Sequence, residues 1–179
     1  MKEKEPKFMT LSQSDNVKVQ LSDETIYTWA YKNATLHNTT TQELYQEFMD
    51  KYKDKDGYIN APLSAVMEMG KNIRGDILIN KMENEKSKFM ALSQSSKVKA
   101  KISDEVIHTW AYKNATLHNT TAQELYQKFM DQYKEKDGYI NAPFYKLMEM
   151  GRKITSDILI NENDLHEPQT KSPEPEREM

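Results

Sequence analysis

Residues Phe8 to Asn80 return as Phe89 to Asn161, at a constant offset of 81 positions and without a gap. Roughly three quarters of the paired positions are identical, far beyond chance for a self-comparison. Whatever one copy builds, the other must build nearly the same. Two copies are too few for a solenoid, which needs about three or more repeats to bury a continuous core. A pair of small units suggests instead a dimer fused into one chain, its halves related by a pseudo-two-fold axis. The copies differ mainly in three places: Asp15–Leu21 against Ser96–Ile102, Leu63–Val66 against Phe144–Leu147, and Lys71–Gly75 against Arg152–Ser156.

Composition narrows the class. Hydrophobic residues make up 37% and charged residues 30%, a balance suited to a modest core and a well-solvated surface. The absence of Cys removes disulfides, thiolate metal sites and Cys nucleophiles together, and fits a reducing, cytoplasmic setting. No run of 18 apolar residues is present, so no membrane span is expected. Met1–Lys7 is charged with no apolar run behind it, and does not read as a signal peptide. Residues 162–179 hold six acids against two bases, which leaves the rest of the chain close to neutral. Nucleic-acid binding would then have to rest on a local patch.

Within a unit, Val17-Lys18-Val19-Gln20-Leu21 alternates apolar and polar, the signature of a strand with one buried face. Copy two reads Val98-Lys99-Ala100-Lys101-Ile102. A lone strand must pair, and its own repeat is the expected partner. Ser22-Asp23-Glu24 predicts a capped helix start, with two acids on the positive end of the dipole. That helix is expected to run to about His37, burying Ile26, Trp29, Ala30, Ala34 and His37, with Asn38 left-handed at its end. Thr40 to Glu43 fits a capping box for a second helix, with Leu44, Phe48 and Tyr52 along one face. Asp56-Gly57 turns the chain, Tyr58-Ile59-Asn60 is extended, and Pro62 opens a third helix. Residues 76–79 fit a brief strand or the end of that helix.

The expected organisation is an N-terminal arm (1–15), a first unit (16–80), a charged linker (81–96), a second unit (97–161) and a disordered acidic tail (162–179). The fold class expected is mostly α, with one short two-stranded antiparallel ribbon between the copies.

Strand, Ser-Asp-Glu, helix, Thr-rich turn, helix is the element order of the ribbon-helix-helix DNA-binding family of the Arc/MetJ type, and the chain resembles that family over about residues 16–57 and 97–138. The closest local likeness is Glu43-Leu44-Tyr45-Gln46 with Met49 and Tyr52, repeated as Glu124-Leu125-Tyr126-Gln127 with Met130 and Tyr133. The resemblance implies a ribbon laid in the major groove of double-stranded DNA. Its base-reading side chains would be Asn16, Lys18, Gln20, Lys97, Lys99 and Lys101. It also implies a phosphate clamp at the start of the second helix, made by Thr39, Thr40 and Thr41 and by Thr120, Thr121 and Ala122. The function implied is sequence-specific repression of transcription. The rival expectation is a protein-interaction module, antitoxin-like or adaptor-like, with the third helices free for self-association or for a partner.

Other residues carry blander readings. Trp29 and Trp110 sit on the buried stripe and read as core. His37 and His118 read as helix-end residues, since no second ligand lies at zinc spacing. His108 stands where copy one has Tyr27. Met67, Met69, Met148 and Met150 read as core filler. No phosphate loop or triad with supporting context is present, so neither enzyme activity, metal nor cofactor is expected.

Overall fold

The computed structural model describes residues 5–69, 72–83 and 85–168. The fold is mixed α/β, with two four-stranded antiparallel sheets. In the first half the strands are β1 (Phe8–Leu11), β2 (Asn16–Gln20), β3 (Ile59–Pro62) and β4 (Arg74–Glu83). The helices between them are α1 (Asp23–Asn33), α2 (Thr41–Tyr52) and α3 (Leu63–Met69). The second half repeats the order as β5 (Lys86–Leu92), β6 (Lys97–Ala100), α4 (Asp104–Asn114), α5 (Ala122–Tyr133), β7 (Ile140–Pro143), α6 (Phe144–Met148) and β8 (Ile158–Asn161).

This corrects the mostly helical expectation and removes the ribbon. β2 and β6 are strands with the expected faces, but they lie in different sheets and do not pair with each other. Each is the inner strand of three local ones: β2 pairs β3 and β4, and β6 pairs β7 and β8. The physical reason lies in the later segments. Ile59-Asn60-Ala61 and Ile77-Leu78-Ile79 also alternate in burial, and Val17, Val19, Ile59, Ala61, Ile77 and Ile79 are all at most 1% exposed. A strand with two apolar-faced partners in its own unit has no edge left for its repeat.

What the halves do share is their first strand. Sheet order is β3-β2-β4-β5 in one half and β1-β8-β6-β7 in the other. β1 therefore closes the second sheet and β5 closes the first. The N-terminal arm and the linker of the sequence reading are these exchanged strands, and residues 162–168 of the expected tail are ordered. Residues 169–179 lie outside the described part. The exchange is locked by sister hydrogen bonds: the Gln13 amide donates to the Ser156 carbonyl at 3.0 Å, and the Gln94 amide to the Gly75 carbonyl at 2.8 Å. The two sheets and their helices share one apolar core.

The caps follow the sequence closely. Ser22 and Thr40 accept from the Thr25 and Glu43 amides, and Ser103 and Thr121 repeat this in copy two. α1 stops at Asn33, earlier than expected, because the Asn33 side-chain amide donates to the Trp29 carbonyl (2.8 Å) and competes with the helix ladder. Asn38 is left-handed at φ 57°, and the Thr39 amide closes the turn on the Ala34 carbonyl. His37, left beyond the helix, is exposed.

Candidate functional site

The expected base-reading residues scatter in their environments. Asn16, Gln20, Lys97 and Lys101 are exposed. Lys18 and Lys99 are half-buried, each in a box of rings and carboxylates. The Lys18 ammonium lies 2.6 Å from Asp56 and 3.8 Å from Asp54, over the rings of Tyr58 and Phe89. The Lys99 ammonium lies 2.7 Å from Asp137 and 3.3 Å from Glu135, over Tyr139 and Phe8. Phe89 and Phe8 come from the exchanged strands, so each box closes only when the other half delivers its ring. The bond to Lys18 holds the Asp56 carboxyl below its usual range, and Lys99 does the same to Asp137. The same pairing raises Lys99. Both ammoniums are engaged in ion pairs within the fold.

The expected phosphate clamps already hold an anion. Thr39 donates its hydroxyl to the Glu43 carboxylate at 2.7 Å while the Glu43 amide donates to Thr40; Thr120, Glu124 and Thr121 repeat the arrangement. The threonine bond lowers both Glu43 and Glu124. An ionised carboxylate therefore stands at each helix start, where it opposes a phosphate by like charge. Thr41 and Ala122 are the first residues of α2 and α5.

A different site takes shape between the halves, in a cleft of about 610 Å³. α3, α6 and the residues just after α6 form its floor through Met67, Met69, Met148 and Met150, and the ends of α1 and α4 with the turn after α4 form its walls through Asn33, Asn114, Leu117 and His118. The four methionines are at most 5% exposed and belong to the core, as expected. The third helices, expected to be free for self-association, meet within the chain at this floor. Trp29 donates its indole N–H to Glu68 at 2.9 Å, and Trp110 donates to Glu149 at 3.0 Å. An indole packed on a core needs such an acceptor. Sequence reasoning passed over Glu68 and Glu149; the recurring Met-Glu-Met, 39 residues after each Trp donor, was the signal available.

The most exposed large apolar side chains recur in matched pairs. Tyr31 and Leu36 are 73% and 74% exposed; their sisters Tyr112 and Leu117 are 76% and 81% exposed. Leu117 lines the cleft directly, and the others sit on or just after the same helices.

No family model matches this chain. No similar protein was found among the curated sequences, and no similar fold among the solved structures. Among the described residues, no group of three or more His, Asp and Glu is placed to hold a metal ion. No helix there is long and apolar enough to cross a membrane.

Proposed function

We propose that the chain is a protein-interaction module that docks a partner on its pseudo-two-fold cleft. The observation that carries this is the doubled apolar pair, Tyr31 with Leu36 and Tyr112 with Leu117, more than 70% exposed on or just after α1 and α4, whose ends wall a cleft floored by methionine. Large apolar side chains left in water at matching places in both halves are candidates for contact with a partner. Tyrosine suits that role as a rigid amphipathic anchor. The neutral body of the chain fits a partner bound by packing more than by charge.

DNA binding is the second reading. It is favoured by Lys97 and Lys101, which are exposed and make no ion pair with the described residues. It would use the outer face of a sheet and not an inserted ribbon. One experiment separates the two. The protein is panned in parallel against a displayed random peptide library and a random DNA duplex pool, and each winner is titrated at several salt concentrations. Protein docking predicts an apolar peptide motif whose binding changes little with salt and is lost in Leu36→Glu/Leu117→Glu. Enrichment of duplexes alone, with a steep salt slope abolished by Lys97→Ala/Lys101→Ala, gives the result to DNA.

A further inference from the structure

The outer edges of the two exchanged strands are not treated alike. After β8 the chain makes one 3-10 turn at Glu162–Asp164 and crosses to β5. There His166 makes two backbone hydrogen bonds with Ala91, 2.7 and 3.1 Å long, running antiparallel to the strand. Its imidazole sits 3.1 Å from Asp76, and Glu167 lies 3.1 Å from Lys88. Leu165 packs against the core, and Ala91 is left 1% exposed. This short segment, 165–167, covers the β5 edge through one antiparallel bridge.

The sister edge is open among the described residues. Thr10 holds the place of Ala91, and it is exposed. The Glu162 amide bonds the Lys7 carbonyl, so Lys7, Met9 and Leu11 bond inward toward β8. By the alternation of an antiparallel ladder, Thr10 turns its N–H and C=O outward. Neither has a backbone partner on that side among the described residues. Beside Thr10 lies a mostly polar cleft of about 400 Å³ lined by Met9, Leu11, Ser14, Asp15, Asn16 and Asn80. Copy one cannot fill it, because the position matching His166 is Glu85, committed to the turn that joins β4 to β5. The flanking charges recur as well. Asp157 is the sister of Asp76 and Lys7 the sister of Lys88, and both are exposed.

We infer that the β1 edge is a second binding site, which takes an extended segment of a partner protein as an added antiparallel strand. The chain itself displays the chemistry of the occupant: a cation or imidazole for Asp157, then a carboxylate for Lys7. Backbone pairing at an open edge supplies the affinity and the alternate side chains supply the choice. This site stands apart from the cleft between the halves and does not depend on it.

The test uses the full chain and a blocked, dye-labelled peptide copying residues 162–168, followed by fluorescence anisotropy. Saturable binding of one peptide per chain is expected. Thr10→Pro removes the outward N–H without touching the β8 ladder and should weaken binding by about tenfold or more. Asp157→Asn and Lys7→Ala should each weaken it about threefold. A peptide N-methylated at its His gives the same test from the other side, and it stays informative if Thr10→Pro disturbs the fold. Absence of saturable binding overturns the inference, as does full-strength binding to Thr10→Pro, which would mean exchange with the chain's own segment at β5. Self-association of the unliganded chain that Thr10→Pro abolishes would overturn it too, by making a second copy the occupant.

Discussion

Trp29 and Trp110 are sister residues with the same neighbours in sequence, the same carboxylate acceptor and the same ring contact with a core phenylalanine, yet Trp110 is 6% exposed and Trp29 is only half-buried. The difference is made elsewhere. Lys146 lies over the Trp110 ring at 5.3 Å, and the matching residue in the first half is Ala65, too short to reach. The edges of the sheets differ in the same way. β4 and β5 are joined by a turn and share seven register pairs, whereas β1 and β8 share four and are joined by no local turn. Two nearly identical sequences thus make one half tied and one half lightly closed. The cause is position in the chain and a few substitutions, not a different fold.

The largest expected break in this comparison is removal of residues 1–11. It strips the second sheet of its closing strand and of Leu11, which is 3% exposed, and it takes Phe8 from the Lys99 box. Burial of one leucine and part of a methionine sets the loss at about 3 kcal/mol or more. Urea unfolding with hydrogen exchange should show amides of β6 and β8 losing protection well before those of β2 and β4. Equal loss in both sheets would show that the exchanged strand is not what closes the second half.

Next in size is the tryptophan pair. Trp110→Ala should cost about 3–5 kcal/mol, as for other buried aromatics, and Trp29→Ala clearly less. Matching costs would mean that the exposure difference has no energetic weight. Lys146→Ala should be smaller, at about 1 kcal/mol. It should also redden the Trp110 emission, measured in a Trp29→Phe background, toward that of Trp29. An unshifted spectrum would remove Lys146 as the cover.

The parts of this fold legible in the sequence are the local ones. Ser22 and Thr40 were readable as caps because a cap is settled by a hydroxyl and an amide three residues apart. Val17 to Leu21 was readable as a strand because alternation is local too. The pairing was not. β2 finds β3 about 40 residues on and β4 about 60 on, and nothing in its own five residues separates those partners from its repeat. β1 was harder still. Phe8-Met9-Thr10-Leu11 alternates in burial but not in hydropathy, because the exposed Phe8 is apolar too, and its partner lies some 150 residues away. The family resemblance rested on element order over half the chain, and order alone does not say which strands meet. The cleft was missed because Glu68 and Glu149 are unremarkable until the fold brings the indoles to them.

The smallest effect expected is one on which the halves should agree. The lysine boxes are near copies: Lys18 with Asp56 and Phe89, Lys99 with Asp137 and Phe8. Both aspartates titrate below their usual value because a lysine ammonium bonds their charged form. A carboxyl whose pKa is lower folded than unfolded binds fewer protons in the native state. Its stabilising share is therefore complete above about pH 4, the unfolded value, and fades as pH falls through the lower folded one. Asp56→Asn and Asp137→Asn should each flatten the acid limb of the stability curve, by similar amounts, and leave its slope above about pH 6 unchanged. The boxes stand near the surface, so salt should shrink both effects together. If only one substitution flattened the limb, the two boxes would not be equivalent. The exchanged rings, Phe89 held by a hairpin and Phe8 by four free register pairs, would then be the first place to look for the reason.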